Sequence, residues 1–359
     1  MNSIVNIEES FEVVNNKLTD LGYVIKHNPT ENVYLISSEN VDDNYTGYIL
    51  EKESNKIVCY GQKKVVDIDQ DKFNNLLNEN EHDGKTVVKM EYCEDGTLMR
   101  LYYHNDKWYT STTNCTDAKM SFWSSQNSFD TMFWEIFNER CSVDLLDKES
   151  TYYFILINNE NRLVIKHKIN SLVYLYKMNK SGENYSNVFN KGVFWRPVLV
   201  KDLDTSDINS CFWNKKRGIV IKFKGDENVY KMDFDSYKNI KTVRGNNPNI
   251  EMRYIELIND EPSRKLLQMY YSEYNSLFKK IHKLYNDFIY HIYQLYLESH
   301  VHHTKKIDKS HVYFPLIKSL HFQYKKTNKA IIYNDVKIRI GNMHVNIIND
   351  LFKKLEVPN

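Results

Sequence analysis

Glycine and proline are scarce in this chain, 11 and 6 of 359 residues, and no low-complexity segment or tandem repeat is present. Cysteine is sparse too. The five cysteines (Cys59, Cys93, Cys115, Cys141, Cys211) are widely spaced, and no CxxC pair suggests a structural zinc or a redox centre. Free thiols in a reducing compartment are the simplest account. An excess of either charge is missing, with 48 basic residues against 47 acidic and a formal charge of +1. The global basic footprint of a nucleic-acid protein is thereby excluded, and any polyanion site must be a local patch. No apolar run approaches the roughly 20 residues of a membrane helix, and no signal peptide opens the chain, so a cytoplasmic protein without a membrane partner is expected.

What is abundant is tyrosine, at 27 residues. Lysine, asparagine, isoleucine and tyrosine dominate, all with AT-rich codons, which speaks of a viral or protist genome and not of function. The length suits two domains, or one large domain with an appendage. Residues 1–255 carry short Val-, Ile-, Tyr- and Phe-rich segments broken by Asn, Asp and Gly. Four of them read as hairpins: "GYILEKESNKIVCYG" (47–61), "TLMRLYYHNDKWYTSTT" (97–113), "YYFILINNENRLVIKH" (152–167) and "GIVIKFKGDENVYKMDF" (218–234). "SFDTMFWEIFNER" (128–140) predicts a short amphipathic helix capped by Ser128, with Phe129, Met132, Phe133, Ile136 and Phe137 on one face. From 256 to 359 the period becomes helical. A continuous apolar stripe from Leu267 to Tyr296 predicts one long helix over 262–298, followed by helices over 314–326 and 343–355. The expected fold class is α+β: a body of antiparallel sheets plus a C-terminal helical domain.

Five spaced segments resemble the ATP-dependent RNA ligases of the phage type, within the covalent nucleotidyltransferase superfamily of ligases and capping enzymes. "YTGYILEKESNKIVCYG" is similar to that family's Arg-Gly strand pair, and "CEDGT" (93–97) to its Lys-x-Asp-Gly nucleophile motif. "TYYFILINNENRLV" resembles a later strand pair, "KRGIVIKF" the Glu-Gly motif and "VYKMDF" the Lys-x-Lys motif. The resemblance implies a nucleotidyltransferase-like (ATP-grasp-like ligase) body over 1–255, with ATP and Mg2+ as cofactors. It also implies a lysine amine that attacks the α-phosphate of ATP, and a helical tail that helps select RNA.

The residues that carry this chemistry are altered. Cys93 stands at the lysine position, Thr46 at the arginine of Arg-Gly, Arg217 at the glutamate of Glu-Gly and Asp233 at the second lysine of Lys-x-Lys. Asp95, Gly96, Phe154, Asn161, Arg162, Gly218 and Lys231 survive. Lys89, four residues before Cys93, lies about 13 Å away along a strand, too far to replace the lost lysine without rearrangement.

Individual residues keep two meanings. Cys93 is a catalytic thiol or a strand cysteine filling the space of a lysine. Asp95 lines a pocket or starts the turn before Gly96; Arg162 holds a phosphate or pairs with a carboxylate. Gly96, Phe154, Arg162, Arg217 and Lys231 are the implied nucleotide-binding set. Lys222 and Lys224, outward from Ile221 and Phe223, form a solvated strand face or contact phosphates, and Lys238, Lys241, Arg244 and Arg253 form the best local basic patch. "SHVHHTKK" (299–306) lacks a cysteine or carboxylate at ligand spacing, so no metal site is assigned. Trp108, Trp123, Trp134 and Trp213 are core residues or base-stacking platforms. Three functions stand open: a divergent RNA-ligase-like protein binding nucleotide or RNA ends without lysyl-AMP, an active ligase or capping-type transferase with a relocated nucleophile, and a non-enzymatic interaction protein whose helical tail holds a protein partner.

Overall fold

A computed structural model describes residues 8–28, 30–38, 46–62, 64–82, 87–186, 188–190, 192–200, 216–226 and 228–355. Trp213 and Cys211 lie outside them. The chain divides into two compact units, Met1–Asn239 and Ile240–Asn359. The architecture is α+β, with mainly antiparallel sheets followed by helices.

Three sheets build the first unit. The first has the order β1 (Val24–Asn28), β2 (Val33–Ser37), β3 (Ile49–Glu51), β4 (Ile57–Cys59). The central one runs β11 (Gly182–Asn184), β10 (Ser171–Asn179), β9 (Thr151–Ile157), β7 (Thr97–His104), β8 (Lys107–Ser111). The third runs β5 (Val65–Asp67), β13 (Val229–Asp233), β12 (Gly218–Phe223), β6 (Val87–Cys93), and its β5–β13 pair is parallel. Residues Glu94, Asp95 and Gly96 carry the chain from β6 in the third sheet to β7 in the central one.

Strand alternation gives each sheet one face for a helix. Helix α1 (Phe11–Asp20) covers the first sheet through Val14 and Leu18, packed with Tyr34, Ile36 and Leu50. Helix α2 (Gln70–His82) sends Phe73, Leu76 and Leu77 against Ile219, Ile221, Phe223 and Met232 of the third. Helix α3 (Phe129–Asn138) starts at Ser128, whose hydroxyl accepts from the Thr131 amide at 3.2 Å. It buries Met132, Phe133 and Phe137 against Phe154, Tyr174, Phe189 and Phe194 of the central sheet and its flanks. The opposite faces of the central and third sheets bound the cleft described below.

Three of the expected hairpins form as β3–β4, β7–β8 and β12–β13. The one over 152–167 does not. Strand β9 ends at Ile157 and pairs with β10, because residues 158–170 leave the sheet. Helix α4 (Asp235–Arg244) runs through the division between the units, and α5 (Ile250–Glu256) follows; the expected long helix is then two, α6 (Glu261–Tyr270) and α7 (Asn275–Tyr296), separated by a 3₁₀ turn at Ser272–Tyr274. Helices α8 (Phe314–Thr327), α9 (Tyr333–Gly341) and α10 (Val345–Leu355) complete the chain. Leu267, Ile281, Phe288, Ile292 and Tyr296 of the apolar stripe are buried, joined by Phe278 and Tyr285. No helix among the described residues is long and apolar enough to cross a membrane.

Candidate functional site

Strand β6 reads Lys89-Met90-Glu91-Tyr92-Cys93. Met90 and Tyr92 turn toward α2 and the third sheet's core, so Lys89, Glu91 and Cys93 turn the other way, into a cleft of about 370 Å3. Its neighbour β12 adds Val220 and Lys222, and β13 adds Val229 and Lys231; Arg217 precedes β12. The facing wall comes from the central sheet and its edge: Leu98, Ile155, Leu175, Tyr176, Glu183 and Tyr185. One wall is cationic and the other apolar and aromatic.

The cations are held in pairs. Lys89 Nζ lies 2.8 Å from Glu91 Oε2 and 4.5 Å from the centre of the Tyr185 ring. Lys222, register partner of Lys89, donates to Glu183 and, at 2.9 Å, to the Tyr185 hydroxyl, with its ammonium 4.8 Å from that ring centre. Tyr185 thus takes two cation–π contacts at once. Arg196 fixes it by donating to the Tyr185 and Leu175 carbonyls at 2.7 and 3.0 Å. Lys231 contacts Asp67 at 2.6 Å and Lys216 contacts Glu94 at 3.7 Å. Burial pushes the Lys89 amine down, opposed by Glu91, and pushes the Glu91 carboxyl up, opposed by Lys89.

Arg217 and Asp233, two of the altered positions, meet each other. Gly218 and Asp233 are register partners, and the Arg217 guanidinium grips the Asp233 carboxylate with bonds of 2.9 and 3.2 Å. A cation and an anion each stand where the resemblance placed the opposite sign, and here the two attract each other across the strands. Cys93, opposite Gly218, lines the same corner. Burial raises its thiol to about 11, against the pull of Arg217.

Asp95 points away from this cleft. One carboxylate oxygen accepts from the Val164 and Ile165 amides at 3.0 and 2.8 Å, and the other from the Tyr237 hydroxyl at 2.5 Å. It therefore ties the crossing between the sheets to the 158–170 excursion. Gly96 follows because space demands it: a Cβ there would stand 2.5 Å from the Leu156 carbonyl oxygen.

The implied site residues divide. Cys93, Gly96, Arg217, Lys222 and Lys231 come together at the cleft. Phe154 does not, because alternation along β9 turns Ile155 to the cleft and Phe154 into the aromatic core, 5.4 Å from the Phe133 ring. Arg162 sits with Asp95 and His167 around a narrow crevice and donates to the Val164 carbonyl at 3.0 Å. Lys222 is not on a solvated face, while Lys224 lies exposed in the following turn. Lys241 is exposed on α4 and Lys238 is half-buried there, 3.1 Å from Asp235, while Arg244 is buried and donates to the Asn247 and Pro248 carbonyls. Trp108 and Trp134 pack against the aromatic core, and the Trp134 indole donates to Asp130 at 2.9 Å. His302 and His303 are exposed.

Sequence reasoning missed Glu91, Glu183, Tyr176 and Tyr185, and set Lys89 aside. Alternation in β6 was the available signal. It also missed Arg100, a fully buried cation on β7 that donates to the Gly47 carbonyl and, at 2.6 Å, to the Thr112 carbonyl, fixing the segment beside Thr46.

No protein-family model matches the chain. It is 25% identical over 207 residues to the immediate-early protein ICP-46 homolog of Invertebrate iridescent virus 3, covering 53% of this chain and 45% of that one. The match thus spans less than half the relative's length. Among solved structures it is similar to an archaeal ATP-dependent RNA ligase (TM-score 0.45, 10% identity, 76% of this chain and 75% of that one). A provisionally assigned ATP-dependent DNA ligase from Aquifex aeolicus gives TM-score 0.45 and 11% identity over 89% of this chain and 82% of that one.

Proposed function

We propose that this chain is a divergent RNA-ligase-like protein that binds a nucleotide, or the end of an RNA, in the cleft between its central and third sheets and forms no lysyl-AMP. One observation carries this reading: Lys89, Lys222, Lys231 and Arg217 line one wall of a ligand-sized cleft whose other wall offers Leu98, Ile155, Tyr176 and Tyr185. A molecule with an anionic end and a planar, weakly polar end satisfies both walls. The amine expected beside Asp95-Gly96 is replaced by the protonated thiol of Cys93, which supplies neither the nucleophile nor a phosphate contact. Lys224 and Lys238, outside the cleft lining, are the residues for RNA backbone contact.

A second reading rests on Lys89. Its amine is in the cleft, burial favours its neutral, nucleophilic form, and Glu91 stands 2.8 Å away to take a proton. Incubation of the purified protein with radiolabelled ATP or GTP and Mg2+ or Mn2+, followed by denaturing electrophoresis, separates the two. No labelled band is expected. A band that disappears in Lys89→Met would establish an active transferase with a relocated nucleophile, and one that disappears in Cys93→Ser would assign the chemistry to the thiol. Absence of both ATP and RNA binding at low salt would leave the interaction-protein reading.

A further inference from the structure

Among the described residues each carboxylate that lines the cleft faces a cation: Glu91 with Lys89, Glu94 with Lys216, and Glu183 with Lys222. Behind them Asp233 holds Arg217 and Asp67 holds Lys231. Among the described residues no three His, Cys, Asp or Glu side chains converge on a point that could hold a metal ion. Magnesium asks for near-octahedral oxygen ligation and is usually held by one or two carboxylates together with ligand phosphates. Here, recruiting Glu91 or Glu183 would take the partner from a largely buried ammonium, and the dication would stand among four cationic side chains. Both effects oppose binding in a site screened from bulk water.

The cations meet the opposite requirement. Lys89 and Lys222 are cross-strand neighbours over one tyrosine ring, and Lys231 and Arg217 continue the row on the adjoining strand and at its end. An ammonium or guanidinium has more N–H donors than one carboxylate takes up, so phosphate oxygens can join the carboxylates at Lys89, Lys231 and Arg217 without taking any carboxylate's partner away. The Mg2+ that the ligase resemblance implies therefore does not fit these residues. We propose that the cleft takes its phosphorylated ligand as the free anion, with Lys89, Lys222, Lys231 and Arg217 giving the counter-charge that a divalent ion would otherwise supply. This rests on the nucleotide-binding reading above and specifies how that site recognises phosphate.

Isothermal titration of the full chain with ATP tests it, in two buffers of equal ionic strength, one with EDTA and one with Mg2+ in excess over ATP. Binding in EDTA, weakened by roughly threefold or more in excess Mg2+, is expected, because the magnesium complex has lost negative charge and brings a dication to a cationic wall. Equal or tighter binding with Mg2+ would overturn the free-anion proposal and leave the nucleotide reading standing. No binding in either buffer would overturn both. Lys222→Gln, checked for an unchanged thermal melt, is expected to weaken binding in EDTA by about tenfold, as loss of one charge-assisted contact should. Undiminished affinity in that folded variant would move phosphate recognition off this row.

Discussion

Cys93 lines the cleft where the resemblance placed a lysine, and its surroundings decide what a thiol can do there. The raised value, about 11, means that roughly one molecule in a thousand carries thiolate at pH 8, against about one in four for an ordinary thiol. Arg217 would have lowered it, but its charge is shared with Asp233, and burial wins. Alkylation by iodoacetamide, followed by mass spectrometry of the Cys93 peptide, should therefore be slow at pH 8 and quicken about tenfold per pH unit up to pH 10, tracking the thiolate fraction. Fast labelling that is already level at pH 8 would mean an activated thiol and would return Cys93 to the list of nucleophiles. Asp95 is the contrasting residue. It keeps its identity because three donors need its carboxylate, and those contacts secure the crossing between two sheets rather than a ligand.

At the scale of elements, the hairpin β7–β8 shows what a local signal fixes. Asn105 and Asp106 both have positive φ, 47° and 59°, the geometry of a two-residue type I′ turn in which glycine is preferred at the second position. Asp106→Gly should stabilise the protein by about 0.5 kcal/mol, measured by urea denaturation. The relief of a left-handed non-glycine residue outweighs the exposed hydrogen bond from the Tyr103 hydroxyl to Asp106. Asn-, Asp- and Gly-containing connections between apolar strands made β3–β4, β7–β8 and β12–β13 legible in the sequence, as caps and a 3.6-residue period did for α3. The β9–β10 pairing was not legible, because its connection is held by a contact with Asp95 far away in the chain. The break between α6 and α7 was hidden because the apolar spacing runs straight through it. The cleft itself was the least visible feature. Lys89, Glu91 and Cys93 alternate with apolar residues just as a solvated strand face would, and only the second sheet opposite turns that face into a binding wall. Arg217 and Asp233 were each noticed as departures, but the strand register that joins them is a tertiary fact.

For the molecule as a whole, a formal charge of +1 removes long-range steering of a polyanion, so RNA affinity has to come from a countable set of contacts. Among the described residues four cations line the cleft, with Lys224, exposed, and Lys238, half-buried, outside its lining. Each single-strand phosphate neutralised contributes about −0.7 to the slope of log K against log salt. A 5′-phosphorylated oligoribonucleotide engaging the cleft alone should therefore show a slope no steeper than about −3, and one engaging Lys224 and Lys238 as well about −4. Fluorescence polarisation between 50 and 200 mM salt, conditions over which such slopes are resolved, distinguishes these cases. The double variant Lys224→Gln/Lys238→Gln should flatten the slope by about 1.4 while leaving ATP affinity unchanged, since neither side chain lines the cleft. Competition by ATP would place the RNA end in the cleft. A slope that stays the same in the double variant, with ATP still competing, would confine recognition to the terminal phosphate, and a slope near zero would remove RNA from the protein's ligands.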